Sequence, residues 1–378
     1  MAEAVSIVGD ILTIERDAPE LSFLAPPDVS LPQAKTIWFK ALDGHWLNFI
    51  RLPRAATATV DRGAVMLVHG TAVRANLFCS PMTVTLPAML SAEGFDVWML
   101  NWRASIDLRP IPWNLDDAAV LDYPAAVAVI KQVAKVPKIK AVIHCQGSTS
   151  FLMSMVAGCV SQDDVETVVA NSSGLHPLLP WQARLKLPIA LLVLGRMSAF
   201  DSQFGLYASS FGGKVMQWLI RAIHHECNYA ICKASSFIYG MGAPTMWNHD
   251  NLDDTTHQWL DGEFGYAPVR LFRQIALCVR RKRAVSMNDG RYPQSVLPED
   301  FTTKNPNITA TTFHFITGAE NRCFLPKAVK KTADFFNEYD RGKPHTYREF
   351  PGYGHMDVFF GKNAHEDVHP YIVRKLIG

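Results

Sequence analysis

The chain has 378 residues and a mass of 42.1 kDa, with 48% hydrophobic and 19% charged side chains. That is enough apolar material for a large core, which excludes global disorder, and the length suits one large domain carrying an insertion. Lys+Arg is 37 against Asp+Glu 35, a formal net charge of +2, so nothing in the composition attracts a polyanion or supports nucleic-acid binding.

The first elements in chain order are two strands, TIWFKAL and HWLNFIRL, joined at Asp43-Gly44, a hairpin turn signal. AVMLVHG, residues 64–70, is a short apolar run ending in glycine and suits a buried strand. A helical stretch near MLSAEG precedes a strand at DVWMLNW. The alanines and apolar spacing of YPAAVAVIKQVAKV predict a helix over 123–136. KAVIH is the next strand, SFLMSMVAGCV an apolar helix and VETVVA a strand. Such alternation predicts an α/β fold with a mostly parallel sheet covered by helices on both faces.

The alternation stops between about residues 174 and 309. That region carries helical patterns such as GGKVMQWLIRAIHH and PVRLFRQIALCVRR, and holds Trp218, Trp247 and Trp259. Phe200, Phe204, Tyr207, Phe211, Trp218, Tyr229, Phe237 and Tyr239 would line a greasy chamber or form the region's own core. Alternation resumes with a strand at TTFHFITG, a helix at PKAVKKTADFFNEY, a strand at HTYREF and a final helix around DVHPYIVRKL. The expected organisation is a core of residues 1–174 and 310–378 with a mainly helical cap over 175–309.

Chemistry concentrates at Ile143-His144-Cys145-Gln146-Gly147-Ser148, between a strand and a helix. This is the setting of a nucleophile elbow, usually G-x-S-x-G, with cysteine in the serine position and isoleucine in that of the first glycine. The sharp turn favours small residues at Gly147 and Ser148. Cys145 falls at a helix N-terminus, where the dipole and free N–H groups favour a thiolate. An oxyanion hole is expected from the backbone of Thr71, after Val68-His69-Gly70, and of Gln146. His69 reads as a structural residue of that loop. Pro351-Gly352-Tyr353-Gly354-His355-Met356-Asp357 is a tight glycine-bearing loop that can present His355 as the base. The orienting residue is either Glu320 or Asn321, adjacent after a late strand, and Asp357 reads as an anchor of its own loop.

Together these segments resemble the α/β-hydrolase superfamily, in particular acid lipases and the hydrolase-like domain found beside some cholesterol oxidases. The matching residues are Asp43, Gly44 and Arg51, VHGT at 68–71, GFDVWMLNWR at 94–103, IHCQGS at 143–148, GAEN at 318–321 and GYGHMDVFFGKNAHEDVHPYI at 352–372. The resemblance covers both ends of the chain and implies a catalytic core with a cap inserted over the active site. It departs from the lipases at Cys145 and at Asn321, which stands where their aspartate stands. The cysteine elbow and Asn101-Trp102-Arg103 are also similar to polyhydroxyalkanoate synthases, which move acyl groups between thioester and hydroxyl. The expected activity is a cysteine-dependent carboxylic ester or thioester hydrolase. It would cleave an ester, thioester or lactone of a bulky hydrophobic substrate through an acyl-cysteine. Acyl transfer to a hydroxyl is the alternative, and a non-catalytic binding protein on the same fold is a third reading.

Other motifs compete weakly. His365-Glu366-Asp367-Val368-His369 matches H-E-x-x-H, but no third ligand follows, and an amphipathic surface helix is the better reading. His224-His225-Glu226-Cys227 with Cys232 lacks a paired C-x-x-C, so no metal is expected there. Phe211-Gly212-Gly213-Lys214 reads as a turn, no G-x-G-x-x-G supports a dinucleotide, and no cofactor is expected. Arg280, Arg281, Lys282 and Arg283 read as a solvated helix end. Seven irregularly spaced cysteines point to a reducing compartment. MAEAVSIVGDILTIERDAPE has no signal pattern, and the greasy stretch from Leu187 to Gly195 is about half a membrane span. A cytoplasmic location with no integral membrane segment follows as the expectation; the oligomeric state is left open.

Overall fold

The computed structural model describes residues 33–194, 198–201, 211–223, 227–240, 245–303, 310–340 and 342–378. Its main sheet has eight strands: β1 Lys35–Lys40, β2 Trp46–Leu52, β3 Ala64–Val68, β4 Asp96–Asn101, β5 Ile139–His144, β6 Val165–Asn171, and, after a long intervening segment, β9 Thr312–Gly318 and β10 Thr346–Phe350. Their order is β1-β2-β4-β3-β5-β6-β9-β10. β2 pairs antiparallel with both neighbours and every other pairing is parallel. All eight agree with the strands expected from the sequence to within a residue or two. The Asp43-Gly44 turn closes the β1–β2 hairpin, with Gly44 at φ +82°.

Sheet burial on both faces explains the apolar runs. Ala64, Met66 and Val68 of β3 face one core layer and Val65 and Leu67 the other. The first layer includes side chains of the helices Tyr123–Ala134, Cys145–Ala157 and Pro326–Tyr339, and the second those of Leu86–Ala92 and His369–Ile377. Arg103 anchors the strand end after β4 through buried bonds to Asp122 (2.6 Å) and a contact with Asp43 (3.2 Å).

The segment between β6 and β9 is mainly helical, with helices Trp181–Leu194, Phe211–Ile223, Ala230–Tyr239, Asp254–Trp259 and Val269–Arg281. It also contains strands the sequence did not reveal: β7 Ala199–Asp201 and β8 Tyr266–Pro268 pair antiparallel. Three residues each are too short to show alternation. Phe211-Gly212-Gly213-Lys214 opens a helix rather than forming a turn. Arg280 to Arg283 are exposed around a helix end, as expected. Of the aromatic residues proposed for a chamber, Phe200 is buried against Phe272, whereas Trp218 is 67% exposed. Phe204 and Tyr207 lie outside the described residues, as do His224, His225, Glu226 and the N-terminal twenty residues. His365 and His369 do not share a helix: they sit on Ala364–Asp367 and His369–Ile377, either side of a break at Val368. No described helix is long and apolar enough to cross a membrane.

Candidate active site

The strand order reverses between β3 and β5, so the loops leaving their carboxyl ends diverge from adjacent positions. Such a crevice is where open α/β sheets place their sites. Cys145 occupies it. The residue follows β5 directly, opens the helix Cys145–Ala157 and has φ +56°, a left-handed conformation strained for a side chain. Gly147 permits the turn, since a Cβ there would lie 2.2 Å from the carbonyl oxygen of His69. The backbones of Gln146 and Thr71 lie beside the Cys145 sulfur and favour its anion. The two residues expected from the sequence to form an oxyanion hole thus lie next to Cys145. His69 serves its loop: Nδ1 donates to the Gly70 carbonyl at 2.6 Å, and its own carbonyl accepts from Trp102 Nε1 at 3.0 Å.

This sheet order, elbow and paired donor loops decide the architecture. The chain has the α/β-hydrolase fold. Among solved structures it is similar to an esterase from Exiguobacterium antarcticum at 10% identity, covering 90% of this chain and 99% of the other, TM-score 0.54. A soluble variant of monoglyceride lipase from Saccharomyces cerevisiae, in complex with a substrate analogue, aligns at 14% identity over 95% and 98%, TM-score 0.54. The enol-lactonase from Burkholderia xenovorans aligns at 12% identity over 89% and 98%, TM-score 0.53. No protein-family model and no curated protein matches the chain in sequence. At these identities the likeness establishes the α/β-hydrolase fold and leaves the chemistry to the residues.

His355 lies beside Cys145. A ring nitrogen of His355, one of His144 and the Cys145 sulfur all lie within 4.8 Å of one another. Among the described residues neither nitrogen of His355 has a hydrogen-bond partner, and its burial drives the imidazole pKa down to about 3. Burial pushes the Cys145 thiol the other way, up to about 12, against the Gln146 and Thr71 backbones that favour the anion. The resting pair is thus neutral thiol and neutral imidazole. This corrects the expected thiolate: with Cys145 only 8% exposed, desolvation outweighs the helix N-terminus.

The orienting acid expected at 320–321 does not form. Glu320 is exposed, and its backbone N–H is tied to the Tyr353 carbonyl at 2.9 Å. Asn321 is buried, but its amide is consumed locally. Nδ2 donates to Ser172 Oγ (2.9 Å) and Thr317 Oγ1 (3.2 Å), and Oδ1 accepts from the backbone of Cys323 and Phe324, both at 3.0 Å. Asp357 holds its own loop, accepting from Gly354 N (2.9 Å), Asn248 N (3.3 Å) and Asn251 Nδ2 (2.7 Å).

The residue that does lie against His355 is His144, which sequence reasoning treated only as part of the elbow. Its Nδ1 accepts from Asn171 Nδ2 at 2.9 Å, and that amide also donates to the His355 carbonyl at 3.3 Å. With Nδ1 accepting, the His144 proton sits on Nε2, which has no partner among the described residues. Phe324 packs on the other side of His355, ring centroids 5.9 Å apart. The available signal was a polar residue directly before the elbow, after the apolar run Ala141-Val142-Ile143.

Described residues of the intervening segment pack with the site. Ala183, Ile231, Met246, Trp247, Leu260 and Phe264 belong to the same apolar cluster as Cys145, together with Val73, Leu77, Phe324, Met356 and Phe360 of the core.

Proposed function

We propose that this α/β-hydrolase-fold protein is a cysteine hydrolase that cleaves an ester, thioester or lactone of a bulky hydrophobic substrate through an acyl-cysteine. One observation carries this reading: Cys145 at φ +56° at the carboxyl end of its strand, with a His355 nitrogen within 4.8 Å of its sulfur. Known esterases, a monoglyceride lipase and an enol-lactonase share the fold and support the class of reaction.

Because the resting pair is neutral, His355 acts as general base during attack. Its free nitrogen takes the thiol proton while Sγ bonds to the substrate carbonyl carbon. The carbonyl electron pair moves to oxygen, where the Thr71 and Gln146 N–H groups hold it. Collapse breaks the bond to the leaving group, which takes the proton from the His355 imidazolium. Water then gives a proton to His355, adds to the acyl-cysteine, and collapse releases the acid as the proton returns to sulfur. Described residues of the segment 175–309, which we read as a cap, share an apolar cluster with Cys145, and this supports a hydrophobic acyl or alcohol part. Transfer of the acyl group to a hydroxyl acceptor uses the same intermediate with an alcohol in place of water.

A quenched reaction with an activated thioester should leave an acyl adduct on the peptide containing Cys145, and C145A should be inactive with its fold intact. The missing carboxylate partner for His355 favours a second reading, ligand binding without turnover. Saturable binding of hydrophobic acyl compounds with no adduct on Cys145 would establish it.

A further inference from the structure

We infer that Cys227, Cys232, His249 and His257 bind one zinc ion as a closed four-ligand site, and that this site holds in place the segment on which the His355 loop is seated. A single ligand atom from each of the four residues lies within 4.8 Å of the other three. Cys232 Sγ is 2.9 Å from His257 Nε2 and 3.1 Å from His249 Nε2, and Cys227 Sγ is 3.5 Å from His257 Nε2. Zinc bonds of about 2.0 Å to nitrogen and 2.3 Å to sulfur give tetrahedron edges of roughly 3.3–3.8 Å, so a small outward movement of the side chains accommodates the ion.

The donor set selects the metal. Two thiolates neutralise a divalent cation, two imidazoles complete a tetrahedron, and mixed sulfur–nitrogen coordination suits zinc over calcium or magnesium. Four protein ligands leave no open position, the signature of a structural rather than a catalytic zinc. The surroundings are those of a thiolate site. Trp247 Nε1 donates to Cys232 Sγ at 3.1 Å and Tyr229 N to Cys227 Sγ at 3.3 Å. The Tyr229 ring stacks on His257 with centroids 3.9 Å apart. Such contacts orient ligands and stabilise sulfur charge.

The sequence left Cys227 and Cys232 without a second ligand pair and no metal was expected. The missing ligands, His249 and His257, lie 17 and 25 residues beyond Cys232, on separate short elements that only the fold brings together.

The site adjoins the catalytic loop through a few residues. Met246 O accepts from the backbone of His355 (3.2 Å) and Met356 (2.9 Å), while Asn248 Nδ2 and Asn251 Nδ2 donate to the Gly352 carbonyl at 2.9 and 2.7 Å. Gly354 allows the approach: a Cβ there would lie 3.0 Å from Trp247 Cα. The segment 245–251 is thus bonded to the His355 loop along one side and, through His249 and Trp247, to the cysteine–histidine cluster on the other. Losing the metal would release that second side.

The full chain, purified without chelator after growth in zinc-supplemented medium, should carry one zinc per chain by elemental mass spectrometry. Titrating wild-type thiols with a mercurial should release it, and cobalt exchanged into the site should give the visible absorption of a tetrahedral thiolate complex. C232S and H257A should lose the metal; the wild-type release and cobalt spectrum stand even if these variants fold poorly. Zinc removal should lower Tm and raise amide exchange at 245–257 and 352–357 while strands β3 and β5 stay protected. Substoichiometric zinc after equilibration with zinc salt, a Cys227–Cys232 disulfide in the native protein, or full zinc retention in C232S would overturn the site. Unchanged exchange at 352–357 on zinc removal would overturn its hold on the His355 loop. These readouts are independent of turnover, so they stand or fall separately from the proposed hydrolase activity.

Discussion

The imidazole of His144 lies 4.8 Å, centroid to centroid, from that of His355, with the planes tilted by 47°. His355 depresses the protonation of His144 in part; for both, burial is the main cause of a low pKa. Asn171 fixes His144 and touches the His355 backbone, so the two rings are positioned by one amide. His144 is therefore a buried neighbour of His355 with its protonation held down.

If His144 positions the base, H144F should lower kcat/KM by roughly 10²-fold, the cost of a small misplacement. H355A should cost about 10²–10⁴-fold, the worth of general-base catalysis. Steady-state kinetics with an activated thioester would compare them. A merely structural His144 would reduce stability and leave kcat/KM per folded molecule unchanged.

With the His355 pKa near 3 and the Cys145 thiol near 12, kcat/KM should be level from about pH 5 to about pH 9. The base is competent above its own pKa, so activity should fall only in stronger acid. Alkylation of Cys145 by iodoacetamide, followed by peptide mass spectrometry, should be slower than that of a free thiol at pH 7. It should rise about tenfold per pH unit. Rapid, selective labelling at neutral pH would mean a thiolate–imidazolium pair instead.

E320Q should change kcat/KM less than about twofold, because the side chain is exposed and no bond joins it to His355. N321A should act on stability, by roughly 1–3 kcal/mol, since it strands the buried N–H groups of Cys323 and Phe324. Urea unfolding beside kinetics separates the two effects; a large kinetic loss in E320Q with normal stability would return Glu320 to the site.

Acid should destabilise the fold before it alters the chemistry. His69, His355 and His369 have folded pKa values lowered from 6.5 to about 3, and His144 is also well below its ordinary value, all mainly by burial. A depressed histidine contributes stability that is complete above about pH 6.5 and lost as pH falls, each by roughly 1.4 kcal/mol per unit. Asp116 and Asp357, raised to about 6, act oppositely: the fold holds their protons down to the unfolded value of 3.8. Among the described residues eight histidines are depressed against six raised carboxyl groups, which leaves a net loss, so urea midpoints should fall between about pH 6.5 and about pH 4. H369F should show a shallower fall.

The strands were legible because parallel strands buried on both faces must be apolar at every position, as in Ala64–Val68. The elbow was legible because a strand, a small-residue turn and a helix follow one another within a few residues. The late loop carrying His355 showed itself by its glycines. The strands Ala199–Asp201 and Tyr266–Pro268 were not legible, since each is short and its partner lies far along the chain.

What the sequence by itself determined is the set of local conformations: the alternating core, the elbow at Cys145 and the donors beside it. These follow from backbone sterics and apolar patterning within about a dozen residues. Only the tertiary structure decided which polar groups meet. Glu320 and Asn321 are neighbours in sequence, yet one faces water and the other is spent on the turn at 321–324. His144 reaches His355 across 211 positions of the chain, and Cys232 reaches His249 and His257 from separate elements. Burial then set the protonation of Cys145 and His355, because desolvation depends on what the whole fold packs around a group rather than on its neighbours along the chain.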